Sequence, residues 1–151
     1  MIRHTFSIVA AIGLGLGATL AHAQATPAGV WKTIDDESKK EKSLIRITES
    51  GGVYTGRLEK LLDPSAKPDA VCDKCSDERK DKPLVGMMLI KGVKQNETDK
   101  ALWDGGEILD PNNGKTYKVR LTPGDGGKTL SVRGYIGAPL LGRTQTWIRV
   151  D

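Results

Sequence analysis

Beyond residue 27, apolar positions recur every second residue in short runs rich in β-branched and aromatic side chains, and Gly, Pro, Asn and Asp punctuate the runs. A period of two places alternate side chains on opposite faces of an extended strand. No stretch long enough for an amphipathic helix shows a period near 3.6, although 76–82 could form a turn or two. The pattern predicts strands at 29–34, 44–49, 53–61, 84–93, 101–109, 115–121, 129–136 and 144–150. Ser50-Gly51-Gly52, Asp110-Pro111-Asn112-Asn113-Gly114 and Thr122-Pro123-Gly124-Asp125-Gly126-Gly127 supply turn chemistry between them. Eight strands in succession with short links read as an antiparallel meander, and a sheet of that size removes its exposed edges by closing on itself. The expected fold is therefore all-β, an up-and-down antiparallel barrel of about eight strands.

One link departs from the pattern. Residues 62–83 contain Pro64, Pro68 and Pro83, six acidic residues and almost no apolar side chains. An insertion of this length in a compact domain is a functional lid or a mobile segment, and this one is expected to lie over one end of the barrel. It carries Cys72-Asp73-Lys74-Cys75. In an oxidising compartment so close a pair forms a local disulfide, which constrains the unfolded chain little. A thioredoxin-like redox pair would need a helix N-terminus after a strand, which the pattern does not provide. A zinc site would need carboxylates such as Asp73 or Asp77 as further ligands. No metal or other cofactor is called for.

Residues 1–23 have the order of a secretory signal peptide: Arg3 and His4, an apolar Gly-rich run from Phe6 to Leu20, then the small-x-small site Ala21-His22-Ala23. Cleavage there leaves a single domain, 24–151, of 128 residues, and the net charge drops from +4 to +3 as Arg3 is lost. That length suffices for one core. Both histidines, His4 and His22, leave with the leader. The exported chain then lacks the usual general base and the commonest metal ligand, which excludes Ser-His-Asp and Cys-His hydrolases and His-based zinc or haem sites. No catalytic residue is assigned. Charges of both signs alternate along the chain without a basic tract, so nucleic acid is not an expected partner. The longest later apolar run, 84–90, is too short to cross a bilayer as a helix. The mature protein is expected in the periplasm or outside the cell, without a transmembrane span.

Trp31, Tyr54, Trp103, Tyr117, Tyr135 and Trp147 each fall on a different expected strand. Packing is the ordinary role for such residues, and lining a pocket is the functional alternative. Pairing 129–136 with 144–150 so that Arg133 lies opposite Trp147 and Tyr135 opposite Gln145 gathers Arg133, Tyr135, Gln145, Trp147 and Arg149 on one face. Leu130, Val132, Ile136, Ile148 and Val150 then take the other. That polar face either meets solvent, with Arg133 stacked on Trp147, or closes on a ligand bearing a negative group. The tentative ligand-binding set is Trp31, Trp103, Tyr117, Arg133, Tyr135, Gln145 and Trp147. The apolar link Gly137-Ala138-Pro139-Leu140-Leu141-Gly142 either caps the barrel or offers a contact surface. Asp104, Glu107 and Asp110 surround Gly105-Gly106, a bulge signal; a hydrolase could rest on these carboxylates, but surface and turn roles fit them better.

The runs Asp110-Pro111-Asn112-Asn113-Gly114-Lys115-Thr116-Tyr117, Leu130-Ser131-Val132-Arg133-Gly134-Tyr135-Ile136-Gly137 and Gly142-Arg143-Thr144-Gln145-Thr146-Trp147 resemble the bacterial exported family known as domain of unknown function 2147. Gly29-Val30-Trp31, Pro83-Leu84-Val85-Gly86 and Trp103-Asp104-Gly105-Gly106 extend that resemblance, whereas the segment around Cys72 and Cys75 looks like a subgroup feature. The resemblance implies an exported single-domain barrel and no established activity. Gly29-Val30-Trp31 with Arg149 or Arg143 is similar to the lipocalin pattern, in which an Arg of the last strand closes the barrel base on a Trp of the first. The combined expectation is a barrel that holds a small, partly apolar ligand or docks to an envelope component. An interaction module using 139–141 or 62–83 is the alternative, and a carboxylate-based hydrolase is the third reading.

Overall fold

The computed structural model describes residues 25–151; the expected signal peptide at 1–23 lies outside the described residues. Eight strands close into an antiparallel barrel in chain order: β1 (Gly29–Ile34), β2 (Glu41–Ser50), β3 (Val53–Leu61), β4 (Met88–Gln95), β5 (Trp103–Asp110), β6 (Lys115–Gly124), β7 (Thr129–Tyr135) and β8 (Arg143–Arg149). Alternation decides which side chains enter. On β2, Ser43, Ile45 and Ile47 are buried while Arg46 and Thr48 are exposed; on β3, Tyr54 and Leu58 go in while Arg57 and Glu59 stay out. Short 3₁₀ turns at Asp125–Gly127 and Pro139–Leu141 are the helical elements among the described residues.

Six of the eight strands differ from their expected bounds by one to four residues, and two of these differences have a visible cause. Strand β4 starts at Met88 rather than residue 84, because the chain before it turns back onto β3: Gly86 N–H donates to the Leu58 carbonyl at 2.6 Å and Leu58 N–H to that of Met87 at 3.0 Å. Strand β6 runs on through Pro123, which faces Leu130, so the following link shrinks to one 3₁₀ turn.

Because consecutive strands alternate in direction, the links 51–52, 96–102 and 125–128 share one end, here called the base. The links 35–40, 62–87, 111–114 and 136–142 share the other, the mouth. The base is plugged. Trp31 is fully buried and donates through Nε1 to the Pro27 carbonyl at 2.7 Å. The Arg149 guanidinium lies 4.2 Å from the Trp31 ring and donates to the carbonyls of Gly127, Ala28 and Thr26 at 2.6, 2.9 and 3.2 Å. Of the two candidates for this role, Arg149 fills it. Trp103, also buried, packs edge-on against Tyr54 with ring centres 6.2 Å apart.

The insertion is tied down rather than loose. Cys72 and Cys75 form a disulfide, with both residues buried. Cys72 N–H donates to Lys82 O, Asp81 N–H to Cys72 O and Leu84 N–H to Ala70 O, at 2.8–2.9 Å. Arg79 clasps the Asp77 carboxylate and reaches the Met88 carbonyl at 2.8 Å, joining the insertion to β4. The Lys74 carbonyl packs so closely on Gly114 of the β5–β6 turn that no Cβ could stand there. The expected placement over one end is thus observed, at the mouth.

Candidate functional site

Above the base plug the barrel is hollow. A cavity of about 610 Å³ opens at the mouth, within the roughly 300–1,000 Å³ range of small-molecule sites. Its wall is largely apolar, built from side chains such as Ile45, Leu58, Leu89, Ile108, Val132 and Trp147 on six different strands. Ala66, Ala70 and Leu84 of the insertion form part of the upper wall.

Polar groups share the lumen with these apolar side chains: Gln145 lies level with Val132, and Tyr117 with Ile108. The hydroxyls of Thr33 and Ser43, 9% and 8% exposed, bond to each other across β1 and β2 at 2.8 Å. The Gln145 side chain accepts from Trp147 Nε1 at 3.1 Å and donates to Asp36 at 3.2 Å. The Tyr117 hydroxyl accepts from Asn113 Nδ2 at 2.9 Å. At the rim, Lys42 pairs with Asp63 at 2.8 Å and Arg143 with Asp36 at 3.4 Å. The Lys42 ammonium holds the Asp63 carboxyl well below the usual range, helped by the Ser65 hydroxyl and amide, and the same contact raises the Lys42 pKa. The Ser38 amide and hydroxyl lower the pKa of Asp35 likewise. These charges are satisfied within the protein.

Residues 29–149 match the family described as uncharacterised proteins conserved in bacteria, DUF2147. The chain belongs to this family. No curated protein matches it. Among solved structures, this DUF2147 protein is similar to protein HP1028 of Helicobacter pylori, described as belonging to the lipocalin family, at 20% identity over 85% of each chain with a TM-score of 0.71. At that identity the likeness speaks for the fold alone: the DUF2147 chain is a lipocalin-like barrel.

The fold divides the candidate ligand-binding residues into three groups. Tyr117, Tyr135, Gln145 and Trp147 border the cavity. Trp31 and Trp103 do not; they belong to the packed base and core. Arg133 is outside the barrel. Its guanidinium donates to the Pro139 and Leu140 carbonyls at 2.7 and 3.3 Å and to Thr144 Oγ1 at 2.7 Å, holding the β7–β8 link.

The expected β7–β8 register is wrong. Trp147 lies opposite Leu130, Gln145 opposite Val132 and Thr144 opposite Arg133. An odd slip exchanges the faces of one strand relative to the other. Leu130 and Val132 therefore share the interior with Gln145 and Trp147, and Arg133 neither stacks on Trp147 nor borders the cavity. Ile148 and Val150 are 40% and 45% exposed. The sequence-level pairing matched polar with polar, but burial of the Trp147 ring against Leu130 outweighs it, and Gln145 is satisfied inside by Trp147 and Asp36.

The β7–β8 link does not cap the barrel: Leu140 and Leu141 are 89% and 80% exposed. Asp104 and Glu107 do share a face, because the bulge at Gly105-Gly106 realigns them, but it is the outer one. There Asp104 accepts from Asn96 Nδ2 and Glu107 pairs with Lys91 at 3.2 Å. Asp110 borders the mouth and accepts from the Asn112 amide at 2.9 Å. Among the described residues, no three His, Cys, Asp or Glu side chains converge as a metal site would require. The sequence reading missed Thr33, Ser43, Lys42 and Asp63 as cavity residues. The inward parity of Ser43 with Ile45 and Ile47 was the available signal.

Proposed function

We propose that this DUF2147 protein is an exported, non-enzymatic barrel that binds a small, partly apolar molecule. The observation that carries the reading is the cavity of about 610 Å³, open at the mouth, with a largely apolar wall that a few polar groups interrupt. Side chains on six strands give up mutual packing contacts to leave that volume, and an unfilled apolar volume forfeits dispersion energy that a ligand restores. Export to the periplasm rests on the leader-like residues 1–23, and the oxidised Cys72–Cys75 pair fits an oxidising compartment.

Native mass spectrometry of protein purified from periplasm tests the reading. The expected spectrum shows the chain beginning at Gln24 with an adduct of a few hundred daltons that organic denaturation removes. A cavity that carries no adduct and also fails to enhance the fluorescence of N-phenyl-1-naphthylamine would sink it.

A second reading, docking to an envelope component, is favoured by Leu140 and Leu141, which Arg133 holds out in water beside the mouth. Leu140→Ser with Leu141→Ser should abolish co-purification of such a partner and leave the melting temperature unchanged; undiminished co-purification counts against it.

A further inference from the structure

The Thr33–Ser43 hydroxyl pair bears on the head group that a ligand of the cavity would carry. A pair of hydroxyls has two donors, and the single Thr33–Ser43 bond uses one of them. The pair has no other partner among the described residues, and both residues border the lumen. One O–H therefore remains in a site that is more than nine-tenths buried, where an unmade hydrogen bond is costly. A hydroxyl or carbonyl oxygen on a ligand would satisfy it.

Both cations that border the cavity are engaged, Lys42 by Asp63 and Arg143 by Asp36. These two cations stand against four carboxylates at the rim, Asp63, Asp36, Asp35 and Asp110, so an incoming carboxylate or phosphate meets a net charge of its own sign. Arg133 cannot serve, since it braces the outer loop. Loss of hydration is thus uncompensated for an anionic head and small for a neutral one.

Building on the binding reading above, we infer that the cavity selects an uncharged amphiphile with a hydrogen-bond-accepting head, such as a long-chain alcohol, ester or amide, over the free acid of equal length. The head sits at Thr33 and Ser43, and the chain runs down toward Trp147 and Ile45.

Displacement of N-phenyl-1-naphthylamine from the full exported chain by 1-decanol and by decanoate, at pH 8 and below their micelle concentrations, tests this directly. Decanol should compete at least tenfold more effectively than decanoate. Thr33→Val with Ser43→Ala removes both hydroxyls together and leaves neither orphaned. It should weaken decanol about fivefold relative to the probe, whose own affinity is measured for each protein. Decanoate equal to or better than decanol in the wild type would overturn the inference, as would decylammonium better than decanol or an unchanged decanol affinity in the double variant. The wild-type ratio decides the matter even if the double variant does not fold. Failure of the probe itself to bind would remove the binding reading and this inference with it; probe binding without the head-group preference removes this inference alone.

Discussion

Replacing Arg149 by Ala should open the base of the barrel, and the size of the effect follows from its contacts. The guanidinium makes three bonds to carbonyls, at 2.6, 2.9 and 3.2 Å, and lies 4.2 Å from the Trp31 ring. Hydrogen bonds to a charged group contribute about 1.5–3 kcal/mol each, and a partly desolvated cation–π contact adds about 1 kcal/mol. Water reaches part of the emptied site, since the Arg149 side chain is 24% exposed, and it recovers some of this, so the net loss should be about 3–4 kcal/mol, as for other broken partly buried charge contacts. For a domain of this size that corresponds to a fall of about 10–15 °C in Tm, readable by far-ultraviolet circular dichroism. Arg149→Lys keeps the charge but not the planar fork and should lose about half as much. Gly29→Ala approaches the same endpoint from the other side. Gly29 has φ +140°, and a Cβ there would collide with the guanidinium. Melting of the Arg149→Ala protein within about 3 °C of wild type would refute the reasoning, showing that apolar packing around Trp31 alone closes the base.

Three further predictions concern the mouth. Replacing Cys72 and Cys75 by Ala should cost no more than roughly 2 kcal/mol, as expected for so short a loop, and speed amide exchange within 62–87; loss of barrel structure on substitution would contradict this. The Arg79 guanidinium and amide hold Asp77 at about 2, below its ordinary 3.8. Because its folded value is the lower one, the stability this contact adds to the insertion is complete above about pH 4 and is lost as pH falls through 2. Insertion amide resonances should titrate in that window in the wild type and not in Asp77→Asn, and a flat wild-type titration would dismiss the contact. Arg133→Ala should release the 136–142 link for about 1 kcal/mol and raise its amide exchange, leaving probe binding intact; loss of binding would mean that Arg133 reaches the cavity after all.

Much of the barrel was legible along the chain because alternation and turn residues are local. Strands β1 and β3 coincide with their expected bounds, and β8 is displaced by one residue. The cavity was harder to see. Trp31 and Trp147 look alike as strand aromatics, yet one plugs the base and the other borders the lumen. Their depth along the barrel axis depends on how the strands are staggered around it. Arg133 and Tyr135 were read with Gln145 and Trp147 because polarity suggested a pairing that registry then reversed.

Local pattern and composition are enough to establish that the chain is built of eight successive strands, that the 62–83 segment stands apart, and that both histidines lie within residues 1–23. The β7–β8 register, the outward seat of Arg133 and the neutral polar groups Thr33, Ser43 and Gln145 inside a hollow barrel emerge only once the chain is folded. These depend on where the sheet closes and on which side chains win the interior. Residues distant in the chain settle that jointly, through burial of large apolar groups and satisfaction of the polar ones buried beside them.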